Sequence, residues 1–204
     1  MAGSAVGTEA RAADPVLHVL AGPNGSGKST FYEKVLAGLT GLPFVNADLI
    51  ATERWPGQEV EHGHDAAALA DQARDAMITR RSSFITETVF SHPSRVDLVA
   101  RAIAAGYRVT LHVLLIPEDL ATARVADRVA QGGHAVPEDR IRQRYRRLWG
   151  HVAGAIALVH TARLYDNSLA EVAFRVVAVF HDGKLVGSAD WPSWTPAELL
   201  QSGA

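Results

Sequence analysis

The sequence predicts a three-layer α/β fold around a central, mainly parallel β-sheet. Apolar β-type runs alternate with helical patterns along most of the chain, as in sheets crossed over by helices. A glycine-rich loop at Gly22–Ser29 has a short apolar run before it and a helical pattern after it. Near the C-terminal end, Asp182-Gly183 sits between two β-type runs, a strong hairpin signal. With 204 residues, 48% of them hydrophobic, the chain can bury one good core. One domain over 15–204 is expected, after a small, polar tail (1–14) expected to be disordered.

The elements follow in order. Val16–Leu20 reads as a buried strand and Ser29–Leu39 as the helix leaving the loop. Leu42–Asn46 is a short strand running into Ala47-Asp48. An alanine-rich helix is expected over Asp65–Arg81, then a strand at Ser83–Thr86 ending in Glu87. Ser94–Ala105 is helical and stopped by Gly106; Tyr107–Leu115 is the longest buried strand. Pro117 opens another helix with Glu118 and Asp119 in its first turn, where the dipole favours anions. That helix is expected to break at Gly132-Gly133, and Pro137 starts one running toward Val159. Ala162–Tyr165 is a fifth strand ending in Asp166-Asn167-Ser168. Phe174–Phe180 and Leu185–Ser188 flank the hairpin turn, so an antiparallel addition at the sheet edge is expected over about 172–190. Trp191 and Trp194 are expected to pack the tail onto the body.

Composition narrows the class. A formal net charge of −2 exerts no global pull toward nucleic acid or anionic lipid. Without cysteine, disulfides and thiolate metal sites are excluded. No apolar run approaches the ~20 residues that span a bilayer. The first fourteen residues have no apolar stretch of the kind a signal peptide needs, so a cytoplasmic chain is expected.

Gly22-Pro23-Asn24-Gly25-Ser26-Gly27-Lys28-Ser29 is a complete G-x-x-x-x-G-K-S loop. Glycines let the backbone wrap an anion with successive N–H groups turned toward it. Lys28 brings a point charge to the β/γ-phosphates and the Ser29 hydroxyl is placed to ligate Mg²⁺. ATP is therefore expected on Gly22, Asn24, Gly25, Ser26, Gly27, Lys28, Ser29 and Thr30, with Asn167 reaching it from the fifth strand end. In an open parallel sheet ligands gather at the carboxyl ends of the strands. Asp48 stands just past the second strand, where a carboxylate can accept a proton from an acceptor hydroxyl; capping the next helix is its other reading. Glu87 stands at the third strand end, able to bind a substrate hydroxyl or help hold Mg²⁺ through water.

Seven arginines lie between Arg124 and Arg147. Arg124 and Arg128 share one helix face; Arg140, Arg144 and Arg147 share another. Between them runs Gln131-Gly132-Gly133-His134-Ala135-Val136-Pro137, suited to a mobile lid over about 124–147. Guanidinium forks neutralise a transferring phosphoryl group, whereas Arg142 and Arg146 face elsewhere and are expected to be merely solvated. His62-Gly63-His64-Asp65 reads as a surface turn rather than a metal site, and His18 and His112 as core or edge residues.

These residues together resemble the zeta-toxin family of P-loop kinases, the toxin half of bacterial toxin–antitoxin pairs. The resemblance runs from about Val16 to Ser168. It rests on the loop, Asn46-Ala47-Asp48, Ile85-Thr86-Glu87-Thr88, the arginine segment with Gly-Gly-His, and Tyr165-Asp166-Asn167-Ser168. It implies the P-loop kinase fold with a helical lid, and transfer from ATP–Mg²⁺ to the 3′-hydroxyl of the sugar of UDP-N-acetylglucosamine. It also implies a possible antitoxin protein as partner. Carried over, Lys28 and Ser29 would hold ATP–Mg²⁺, Asp48 would be the base and Arg128 would stabilise the transferring phosphate. Asn46, Asp48, Glu87, Thr88 and Arg124 would meet the substrate. The second lid arginine of the family has no counterpart; His134 stands at about that place, with Arg140 or Arg144 as substitutes. Thr88-Val89-Phe90-Ser91-His92 also lacks the Thr/Arg pattern that some members use on the substrate. Two other readings use the same loop: transfer to another hydroxyl, such as an antibiotic or nucleotide, and a nucleotide-gated binding protein with weak ATPase activity.

Overall fold

Seven strands form one sheet in the order β2-β3-β1-β4-β5-β6-β7 in the computed structural model, which describes residues 13–130 and 137–203. The strands are β1 Val16–Ala21, β2 Phe44–Val45, β3 Phe84–Thr88, β4 Arg108–Leu115, β5 Thr161–Asp166, β6 Arg175–His181 and β7 Lys184–Leu185. β1 to β5 pair in parallel, and β6 and β7 close the β5 edge antiparallel. The α/β architecture and the C-terminal hairpin are therefore as the sequence leads one to expect.

Strand alternation explains the three layers. Along β1, Leu17, Val19 and Ala21 enter one core, while Leu20 enters the other. β4 divides likewise, with Val109, Leu111, Val113 and Leu115 on one face and Leu114 on the opposite one. Each fully buried Leu or Val contributes about 1.5–3 kcal/mol of transfer free energy. The larger core lies under three helices: α4 Gly63–Thr79, α5 Ser94–Ala104 and α7 Glu138–Ile156. Trp191 and Trp194 pack against it, tying the C-terminal segment down. The smaller core is Leu20, Phe31, Leu36, Ile85, Leu114 and Tyr165, beneath the helix that leaves the loop.

That helix is less regular than its sequence suggests. It begins as α1 Lys28–Phe31, passes through a π-helical stretch at Tyr32–Leu36 and resumes as α2 Ala37–Thr40. Two further helices have weak sequence signals: α3 Ala47–Arg54 and α8 Ala197–Leu200. α6 Glu118–Ala130 precedes α7. Residues 1–12 of the expected tail, the Gly132-Gly133 break and His134 lie outside the described residues. Among the described residues no helix is long and apolar enough to cross a membrane.

Candidate active site

β1 delivers the chain into the Gly22–Ser29 loop at the carboxyl edge of the sheet. Gly22 has φ +147°, and a Cβ there would stand 2.6 Å from the Leu114 carbonyl oxygen, so only glycine fits between loop and β4. Gly27 has φ +90°, and its missing Cβ leaves room for Asn167, whose amide donates to the Ser26 carbonyl at 2.9 Å. Lys28 begins α1 with its amine inside the loop, donating to the Gly22 and Pro23 carbonyls at 3.1 and 2.9 Å. The first N–H groups of a helix have no intrahelical acceptor, and α1 starts directly from this loop. Buried in it without a partner among the described residues are Asn24 Oδ1 and Ser26 Oγ. Glycines, orphaned polar atoms and a buried amine together make a cradle that fits a polyphosphate.

Glu87 is the hub beside it. One carboxylate oxygen lies 3.8 Å from the Lys28 amine. The other accepts from Ser29 Oγ at 3.2 Å and from the Asn46 amide at 2.8 Å. Burial lowers the Lys28 pKa; Glu87 and then Asp48 push it back up, while Arg128 lowers it further, and the net shift is downward. Asp48 and Arg128 therefore act electrostatically at the lysine, although both are exposed at the surface. The hydroxyl of Ser29 and the carboxylate of Glu87 are hard oxygen donors side by side, a set that fits Mg²⁺.

Asn46, rather than Asp48, is the N-cap of α3. Its Oδ1 accepts from the backbone N–H of Asp48 at 2.7 Å and of Leu49 at 3.2 Å. The alternative reading of Asp48 as a cap is thereby corrected: the carboxylate sits in the first helical turn and faces a cleft of about 310 Å³. Glu87, Thr88 and Arg144 line the same cleft. Arg124 is elsewhere. It donates to the carbonyls of Gly25 (3.4 Å) and Asn167 (3.1 Å), so it braces the glycine-rich loop and does not line that cleft. Arg140 is exposed and also stands outside the cleft lining, and Thr30 is exposed on α1. Arg142 pairs with Glu118, Asp119 and Glu138, and Arg146 with Glu118, at 2.9–3.4 Å.

A second arginine group was not legible beforehand. Arg74, almost fully buried on α4, donates to Thr86 Oγ1 at 2.7 Å and to the Glu87 carbonyl at 3.4 Å, and pairs with Asp71 at 2.5 Å. Arg95 on α5 takes the same Asp71 oxygen at 2.5 Å. Burial raises the Asp71 pKa, but Arg95 and Arg74 outweigh it and hold the carboxyl below its ordinary value. A signal existed: Ala66, Ala70 and Arg74 are four apart, so the arginine continues a buried stripe. Phe90 was missed as well; it is fully buried with φ +67°, which is rare for a bulky residue, at the cleft wall. His62 stacks on Trp55 and bonds Asp65 at 2.9 Å, a surface arrangement.

Solved structures share this fold. A chain of the AvrRxo1-ORF1:AvrRxo1-ORF2 complex with sulphate ions matches with a TM-score of 0.71 at 17% identity, over 93% of this chain and 63% of that one. The same pair solved with ATP matches with a TM-score of 0.58 at 15% identity, over 91% of this chain and 67% of the other. The PezAT toxin–antitoxin system of Streptococcus pneumoniae follows with 0.57 at 13% identity, over 75% of this chain and 69% of that one. The chain thus spans under two thirds of the length of the AvrRxo1 chain it matches with sulphate bound. No curated protein matches it in sequence. A family model described as an AAA domain matches residues 17–149, from β1 through the loop, Glu87 and most of α7, and the chain belongs to that family.

Proposed function

We propose that the protein is an ATP-dependent small-molecule kinase whose acceptor is the 3′-hydroxyl of the sugar in UDP-N-acetylglucosamine. One observation carries the phosphoryl-transfer reading: the Lys28 amine, the Glu87 carboxylate and Asp48 converge where the phosphate loop meets an open cleft. The likeness to a toxin–antitoxin structure and to a complex solved with ATP supports it, as does the ordered set of motifs shared with zeta toxins.

In this reading the loop N–H groups and Lys28 hold the β- and γ-phosphates of ATP. Ser29 and Glu87 would hold Mg²⁺, which neutralises developing phosphate charge when bound. Asp48 accepts the proton of the acceptor hydroxyl as its oxygen forms the new bond to the γ-phosphorus and the bond to the β-phosphate oxygen breaks. Exposure suits this role, because no partner among the described residues competes for the Asp48 carboxylate. Arg128, already felt at Lys28, stabilises charge on the transferring group from the lid side. Glu87 is committed to Ser29, Asn46 and Lys28 and so organises the site from beneath. A cognate antitoxin would restrain such an activity in the cell, and the acceptor would be met at a cytoplasmic address.

The test is incubation with ATP, Mg²⁺ and a panel of acceptors, followed by mass spectrometry. Phosphate on UDP-N-acetylglucosamine, with little on free N-acetylglucosamine or chloramphenicol, is the expected result. Val89 and Ser91 line the cleft where the resemblance calls for a Thr/Arg pattern, so a different hydroxyl acceptor is the second reading. Efficient phosphorylation of an antibiotic or nucleotide, with no UDP-sugar reacting, would establish it.

A further inference from the structure

The acceptor cleft carries more positive charge than its own carboxylates balance. Arg74, Arg95 and Arg144 all line it, against the two carboxylates of Asp48 and Glu87. Asp71 is the carboxylate that Arg74 and Arg95 share, and the two oxygens of Glu87 are taken by Ser29, Asn46 and Lys28. Arg144 is half-buried with no hydrogen bond or ion pair among the described residues. Its neighbours on α7 show that this is not for want of acids: Arg142 and Arg146, four apart on one face, both reach Glu118. Arg144 lies between them in sequence, nearly half a turn around the helix, and is turned to the cleft instead.

The three arginines differ in what they have left to give. Arg74 spends its donors on Thr86, the Glu87 carbonyl and Asp71, so it is a positioning residue. Through Asp71 it fixes Arg95, whose second contact with that carboxylate is long at 3.4 Å. Arg95 and Arg144 therefore retain free guanidinium donors in a partly dry cleft, where an unpaired charge is costly and a planar oxyanion is the matching ligand.

We propose that Arg95 and Arg144 form a subsite for an oxyanion, phosphate or carboxylate, carried by the acceptor apart from its reacting hydroxyl. The proposal rests on the reading of this cleft as the acceptor site, and it makes the acceptor class anionic. It also supplies cations for the diphosphate of a nucleotide-sugar from α5 and α7, without the missing Thr/Arg pattern.

The experiment uses the full chain saturated with Mg²⁺ and adenylyl imidodiphosphate, which occupies the phosphate loop. Inorganic pyrophosphate, malonate and UDP-N-acetylglucosamine are then titrated by calorimetry into wild type, Arg95→Gln and Arg144→Gln. At least one of the two simple anions should bind the loaded wild type, and which one tells phosphate from carboxylate. Each variant should weaken that binding by about tenfold or more, with the affinity for the nucleotide analogue unchanged. Failure of both simple anions to bind, or binding equally tight in both variants, overturns the subsite. The two readings separate cleanly. Arginine-dependent anion binding without any phosphorylation of a UDP-sugar keeps the subsite and removes that acceptor. Phosphorylation of UDP-N-acetylglucosamine with an unchanged KM in both variants keeps the kinase reading and overturns the subsite.

Discussion

Lys28 and Asp48 sit at opposite extremes of exposure, and their variants should fail differently. Lys28 is buried with its amine on loop carbonyls and 3.8 Å from Glu87. Lys28→Ala should abolish ATP-dependent transfer while leaving the circular-dichroism spectrum unchanged; a mutant with wild-type turnover would exclude the loop from the chemistry. Asp48 is exposed, and its side chain holds nothing in the fold, since Asn46 caps α3. Asp48→Asn keeps the shape and removes the proposed proton acceptor, so turnover should fall by about 10²–10⁴-fold with ATP affinity retained. Collapse of ATP affinity would instead mark Asp48 as part of the nucleotide site. The loop, Lys28, Ser29, Asp48 and Glu87 were legible as residues because the motif spacing and strand-end positions expose them. That Glu87 would be tied to Ser29, Asn46 and Lys28 at once was not, because those contacts join residues far apart in the chain, 58 positions for Ser29 and Glu87.

Among elements, α6 and α7 were read from their arginine spacing, and the structure divides those arginines by helix face. Arg128 acts on Lys28, Arg124 braces the loop, Arg144 enters the cleft, and Arg142 and Arg146 are held by acids. Arg128→Ala should lower kcat far more than it raises either KM if, as proposed, it acts on the transferring phosphate; steady-state kinetics in which only KM rises would make it a positioning residue. α4 carries the other consequence. Arg74→Met should destabilise the fold by about 2–3 kcal/mol in urea melts, because Thr86, the Glu87 carbonyl and Asp71 lose a charged donor in a buried place. Asp71 keeps Arg95, which limits the loss. Helix α3 escaped the sequence reading because its eight residues carry little amphipathic pattern; a buried side-chain cap and contact with α4 sustain it.

At the scale of the whole molecule, the sheet buries a line of polar side chains across three strands. His18 Nδ1 lies 3.0 Å from His112 Nε2, and His112 Nδ1 lies 3.3 Å from the Tyr165 hydroxyl, joining β1, β4 and β5. Burial above all, with His18 and Arg163 adding to it, lowers the His112 pKa to about 3. Burial lowers the His18 pKa too. The unfolded chain therefore takes up a proton near pH 6.5 that folded His112 refuses until about pH 3, so stability is full above 6.5 and falls as pH drops through that window. Between pH 7.5 and 5.5 the loss from His112 should be about 1 kcal/mol. Urea melts at the two pH values should show it, and His112→Leu should flatten the difference. An equal pH dependence in the variant would assign the effect to other groups.

What the amino-acid sequence determined by itself is everything with a local cause. The phosphate loop follows from glycine spacing, the parallel strands from short apolar runs, the C-terminal hairpin from Asp182-Gly183, and the main helices from periodicity and their breakers. Tertiary structure alone decided which charges meet. Whether an arginine on α7 faces Glu118 or the cleft depends on how that helix is rotated against α6 and the sheet, and no local rule sets that rotation. The same holds for Arg74. Its place on a buried stripe is written in the four-residue spacing, but Thr86 and the Glu87 carbonyl become its partners only when α4 packs over β3. Burial then does the rest, because once water is excluded each donor must find an acceptor, and the fold determines which ones are within reach.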